Sequence, residues 1–179
     1  MLKVSMRAFL NSILAVLILS SCQEIETNSS ASSIDLIGEI EIEELNTNEN
    51  TTWFNKEFES YQLDSVIMDS LSLYKNKFEE VTITIFLGTW CEDSHKEVPR
   101  FSKVMNELGI ENTKLIGVDY NKETPAGFEK GKDIRHVPTF IINKGGKELG
   151  RIVETPIESI EKDLLTLIQG KKYIPNYAK

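Results

Sequence analysis

The sequence predicts an α/β chain: one central mixed sheet of parallel strands plus an antiparallel C-terminal hairpin, flanked by helices on both faces. Three observations predict it. Apolar runs of strand length stand at 81–87 and 115–118. Apolar stripes at helical spacing alternate with them, which demands parallel pairing through right-handed crossovers. Two further strand-like runs flank Lys144-Gly145-Gly146-Lys147, which has the composition of a tight hairpin turn.

The elements follow in order. Leu63, Ile67, Leu71, Tyr74 and Phe78 recur at helical spacing and predict one amphipathic helix. Residues 81–87 alternate apolar residues with Thr and then become continuously apolar, as a buried strand does. Val98, Phe101, Met105 and Leu108 form a second helical stripe, closed by Gly109. After the strand at 115–118, Thr124-Pro125 predicts the start of a short helix ending near Gly131. The hairpin strands are expected at 140–142 and 149–153. A last helix carries a capping-box pattern, with Thr155 as cap, Pro156 in the first turn and Glu158 three residues on. Its stripe is Ile157, Ile160, Leu164 and Ile168, and Gly170 ends it.

Ahead of these elements lies a different kind of chain. Lys3 and Arg7 precede the apolar stretch 8–19, which is shorter than the roughly 20 residues a membrane crossing needs and reads as an export signal. It ends in Leu19-Ser20-Ser21-Cys22, which resembles a bacterial lipoprotein box. The resemblance implies removal of residues 1–21, lipidation of Cys22 and a membrane anchor facing the periplasm or the cell surface. Gln23 after the cysteine leans towards the outer membrane. Residues 22–52 are rich in Ser, Asn, Thr and Glu and read as a solvated tether. Leu36, Ile37, Ile40 and Ile42 leave room in it for a small ordered piece. The globular domain is then expected at 53–179.

Charge narrows the function classes. The chain holds 20 Lys and Arg against 28 Asp and Glu, and the leader takes two of the basic residues. Such acidity repels phosphate backbones, and no basic cluster interleaves with aromatics, so nucleic-acid binding is excluded. With two cysteines, Cys22 and Cys91, a disulfide-stapled framework is excluded as well.

The chemistry sits at one strand–helix junction, Gly88-Thr89-Trp90-Cys91-Glu92-Asp93-Ser94. A thiol there faces unsatisfied backbone N–H groups and the positive end of the helix dipole, both of which favour the nucleophilic thiolate. Glu92 and Asp93 oppose that effect, while Arg135, His136 and His95 support it where they converge. His95 lies four residues after Cys91 and so shares its helix face.

Trp90-Cys91-x-x-Ser94, Pro99 eight residues after the cysteine, and Val137-Pro138-Thr139 ahead of a strand and a Gly hairpin resemble the thioredoxin superfamily over roughly residues 62–169. The stretch 88–101 is similar to a subgroup of exported bacterial thioredoxin-like proteins with a Trp-Cys-x-Asp-Ser signature. The resemblance implies a thioredoxin-like fold in which Pro99 kinks the long helix. It also implies that Val137-Pro138 carries a cis peptide beside the active thiol. Trp90, Val137 and Pro138 would contact the substrate, with the Val137 backbone pairing to an extended client segment.

The chain departs from the family in two places. Ser94 stands where most of the superfamily's oxidoreductases carry a second cysteine, so no internal thiol releases a mixed disulfide. Ile85 stands where thioredoxins often bury an Asp. A dithiol reductase is therefore excluded. A monothiol mechanism survives, whether isomerisation, exchange with a small thiol, or covalent capture of a cysteine-containing client. In it Cys91 is the nucleophile and Ser94 and His136 assist. The alternative is a redox-inactive binding or chaperone module on the same fold. Gly127–Asp133 is one residue short of a phosphate loop and lacks Ser or Thr after its Lys. A copper(I)-type set of Cys91, His95 and His136 is disfavoured, so no metal and no cofactor are expected, and a monomer is expected.

Overall fold

Successive side chains of a strand point to opposite faces, so the strand sequences decide which residues face which core. In a computed structural model that describes residues 35–47 and 51–178, the described residues form one compact unit. The elements run β1 (Gly38–Ile40), α1 (Ile42–Thr47), α2 (Thr52–Ser60), α3 (Ser65–Ser72), α4 (Lys75–Glu79), β2 (Val81–Leu87), α5 (Glu92–Leu108), β3 (Thr113–Gly117), β4 (Thr139–Lys144), β5 (Lys147–Val153) and α6 (Ile160–Ile168). The five strands form one mixed sheet in the order β1-β3-β2-β4-β5. β2 and β3 pair in parallel, and the other pairings are antiparallel. The expected leader (1–21), Cys22 and most of the expected tether lie outside the described residues.

One face of the sheet presents Ile83, Ile85, Leu87, Leu115, Phe140, Ile142 and Ile152 to a core that all six helices enter. α5 supplies Val98, Phe101, Val104, Met105 and Leu108, the stripe expected from its period, and Gly109 caps it. Phe101 stacks on Phe140 at 4.7 Å between ring centroids, joining helix to sheet. Each such side chain contributes about 1.5–3 kcal/mol by leaving water. The opposite face carries Phe86, Ile116 and Ile141 in a smaller core with Val118 and Val137.

The short helix expected after β3 does not form. Trp90, Cys91, Phe128 and Ile134 pack on the second core, and the segment 124–132 that should supply a helix there is a succession of turns. The reason lies in its side chains. Thr124 Oγ1 accepts from the Phe128 amide at 2.9 Å, and Glu129 Oε2 accepts from the Thr124 amide and hydroxyl at 3.1 and 2.7 Å. These bonds bind backbone and side-chain donors that a helix would arrange differently.

Three boundaries also shift. The small ordered piece around residues 36–42 is β1 and α1, with Ile40 and Leu45 buried, so the fold begins well before residue 53. The single helix over 63–78 is two, α3 and α4, divided where the Tyr74 amide bonds Leu71 O at 2.9 Å in a tightened turn. Leu71 and Phe78 still both reach the core. α6 is capped by Ser159, whose hydroxyl accepts from the Lys162 amide at 3.2 Å, and not by Thr155. The buried Asp163 explains this. It accepts the amides of Ile157 and Glu158 at 2.6 and 3.3 Å, folding residues 155–158 across the helix start.

Candidate functional site

Pairing of β2 with β4 in the register Phe86↔Thr139 brings the residues after β2 beside those before β4. Cys91 follows β2 as the cap residue of α5, in extended backbone, with its amide on Gly88 O at 2.9 Å and its carbonyl accepting the His95 amide at 3.0 Å. Its side chain is partly exposed. The Val137-Pro138 peptide is cis, and Cys91 Sγ donates to Val137 O at 3.1 Å. Val137 itself is buried in the second core, against which Trp90 and Cys91 pack. Thiol, cis peptide and Trp90 thus meet at one place.

The junction is fixed from several sides. Ser94 is fully buried, and its Oγ accepts the buried Gly88 amide at 3.2 Å, tying the end of β2 to the first turn of α5. Trp90 Nε1 donates to Val118 O at 3.0 Å, and its ring stacks on Tyr120 at 4.4 Å, with Lys122 Nζ 5.6 Å from the ring centre. Only glycine fits at 88, because a Cβ there would stand 2.6 Å from Trp90 Cε2. Glu92 is exposed and Asp93 half-buried in the first turn of α5, where carboxylates suit the helix dipole.

Three of the expected tuning groups have partners elsewhere. His95 Nε2 lies 2.6 Å from Thr89 O, so that nitrogen carries the proton, and the ring stacks on Trp53 at 4.3 Å. His136 Nδ1 lies 3.0 Å from Glu154 Oε1, and its ring stacks on Tyr177 at 4.1 Å. Arg135 is exposed and donates to Asp133 at 2.7 Å. Cys91, Trp90, Val137 and Pro138 therefore come together with Ser94 behind them, while His95, His136 and Arg135 frame the site through other bonds. Among the described residues, no group of three or more His, Cys, Asp and Glu is placed to hold a metal ion.

The structure adds residues that the sequence reading missed. Trp53 and Phe54, followed by Phe58 four residues after Phe54, mark α2 by their spacing. Tyr120, Glu154 and Tyr177 carry no local signal, because their partners come from other segments. Hydrogen bonding to the Glu154 carboxylate raises the Tyr177 phenol above its ordinary value. Glu97 is buried in α5, with Oε1 3.2 Å from Lys96 and 3.7 Å from Arg100 and with Oε2 unpartnered. Burial raises its pKa above the ordinary carboxylate range against the pull of both cations. A cleft of about 530 Å³ opens beside His136, walled by Arg135, Arg151, Val153, Asn176 and Tyr177.

A family model described as thioredoxin matches residues 41–167. Among solved structures, the chain resembles a protein of unknown function from Pseudomonas aeruginosa at 16% identity and a TM-score of 0.50, covering 75% of this chain and 93% of that one. It also resembles an HIV epitope scaffold at 17% identity and a TM-score of 0.53, covering 76% and 95%. Likeness at such identities concerns the fold alone. No curated protein matches.

Proposed function

Since this chain belongs to the thioredoxin family, we propose that it is a thiol–disulfide exchange protein working with one cysteine. Cys91 thiolate attacks one sulfur of a client disulfide. The client S–S bond breaks, a Cys91–client S–S bond forms, and the displaced client sulfur leaves as a thiolate that takes a proton from water. No second thiol stands at residue 94 to reverse this from within. Release therefore comes from a thiol of the client itself, which isomerises it with no net redox change, or from a small external thiol. In the latter case one small thiol displaces the reduced client and is left disulfide-bonded to Cys91, and a second frees Cys91, so two small thiols are oxidised to their disulfide.

The observation that carries this reading is the placement of Cys91 Sγ at the start of α5, 3.1 Å from Val137 O and beside cis Pro138. An extended client segment alongside residue 137 would bring its sulfur to that thiol. Trp90 and its Tyr120 partner offer an aromatic surface next to it. The protein is proposed to act at the bacterial envelope, held by lipid on Cys22. Among the described residues, no helix is long and apolar enough to cross a membrane. Changing Cys22 to Ala should then release the protein from membranes.

The test is native-state chemistry at Cys91. The folded protein should alkylate at Cys91 within minutes near neutral pH and form a mixed disulfide with a small disulfide reagent, both abolished in Cys91→Ser. A Cys91 that reacts only in denaturant overturns the exchange reading and leaves a binding module on the same fold.

A further inference from the structure

Two segments far apart in the chain grip the same residue of the junction. The Leu36 amide donates to Thr89 Oγ1 at 3.1 Å, and the Thr89 hydroxyl donates to Asp35 Oδ1 at 3.3 Å. The carbonyl of the same residue accepts from His95 Nε2 at 2.6 Å. Each holder is itself held. Trp53 of α2 stacks on His95 with the rings 18° from parallel. The N-terminal segment continues into β1, which pairs with β3 from Gly38↔Gly117 to Ile40↔Leu115. Leu36 O sits so close to Gly117 that a Cβ there would fall 2.0 Å from it, so the segment is seated on β3 by backbone contact.

Thr89 stands two residues before Cys91, between the Gly88 carbonyl that receives the Cys91 amide and the Trp90 ring fixed on Val118. Composition places Asp35 and Leu36 in the expected tether, with Leu36 in the piece that had room to be ordered. Their bonds fall instead on the loop that presents the thiol.

We propose that Thr89 is a positioning residue for Cys91 and that residues 35–40 form the latch holding it. The proposal rests on the reading of Cys91 as the exchange thiol. Attack on a disulfide requires the sulfur in a narrow range of positions, and a loop freed on one side spends less time there. The hydroxyl of Thr89 acts through the backbone and does not touch the reacting sulfur.

The experiment compares full-length wild type, Thr89→Val, Thr89→Ser and Asp35→Ala. It uses a small disulfide reagent from about pH 6 to pH 9 and amide hydrogen exchange at residues 90 and 91. Thr89→Val keeps the shape and removes the hydroxyl. It should slow mixed-disulfide formation at Cys91 about fivefold across the profile and speed amide exchange about fivefold, the factor supplied by one hydrogen bond of ordinary strength. Thr89→Ser should recover both to within about twofold of wild type, and Asp35→Ala should shift both in the Val direction. Wild-type behaviour in Thr89→Val overturns the latch, as does an equal loss in Val and Ser. If wild-type Cys91 is itself inert in the folded protein, the exchange reading fails on that measurement. Amide exchange then decides the latch alone, and unchanged protection in Thr89→Val overturns it.

Discussion

Replacing Gly88 by Ala tests how firmly the Trp90 ring is built into the junction. The added Cβ would lie 2.6 Å from Cε2 and 2.9 Å from both Cζ2 and Nε1, where ordinary carbon contacts begin at about 3.5 Å. The ring must withdraw by about 1 Å, and it is pinned. Withdrawal breaks the Nε1 bond to Val118 O and disturbs the stack on Tyr120. The first contributes about 1 kcal/mol and the second about 0.5–1.5 kcal/mol. The expected cost is about 2 kcal/mol, or a fall in melting temperature of about 6–8 °C for a fold of this size. Urea denaturation followed by circular dichroism measures it. The same substitution in a Trp90→Ala background should cost close to nothing, because the obstacle is gone. An equal cost in both backgrounds, or a cost below about 0.5 kcal/mol in the wild type, would refute the steric reasoning.

Ile40→Ala should destabilise by about 2–4 kcal/mol in the same assay, because Ile40 is buried in the main core; a silent substitution would return residues 38–47 to a tether. Glu97→Gln tests the buried carboxylate by pH. Burial raises the folded-state pKa of Glu97, so between the ordinary glutamate range and that raised value the native state binds more protons than the unfolded state. The glutamate's contribution is therefore complete at low pH and is lost as pH rises through the folded value. The amide carries no such dependence. Stability curves should coincide near pH 4 and separate by about pH 7.5, with Glu97→Gln the more stable. A less stable variant at pH 7.5 would mean that the pairs with Lys96 and Arg100 outweigh burial.

The centre of the fold is legible because its signals are local. Residues 81–109 carry a strand period, a junction cysteine, a helix period and a closing glycine in unbroken succession, and β2 and α5 form there. Val137-Pro138 ahead of a strand is equally local, and the resemblance it supports places it beside the thiol, where it is found. Segment 124–131 misleads for the opposite reason. Pro125 after Thr124 suits a helix start, yet Thr124 and Glu129 find each other first. α6 starts late because Asp163, inside the helix, reaches back to amides ahead of it.

What the sequence by itself determined is the thioredoxin-type α/β class, the position of Cys91 at a strand–helix junction, the company of Trp90, Val137 and Pro138, and a serine in place of a second cysteine at residue 94. Periodicity and residue type suffice for the α/β class and the junction, because backbone hydrogen bonds and side-chain alternation repeat within a few residues; the thioredoxin type and the company of Trp90, Val137 and Pro138 are what the motif resemblance implies. Only the tertiary structure decided the partners of the polar groups. His95 goes to Thr89 and Trp53, His136 to Glu154 and Tyr177, Arg135 to Asp133, and Thr89 to the N-terminal segment. Most of those partners arrive from segments 18 to 53 residues away. A hydrogen bond needs its two atoms within about 3 Å, a condition that depends on how whole elements pack and leaves no trace in local spacing.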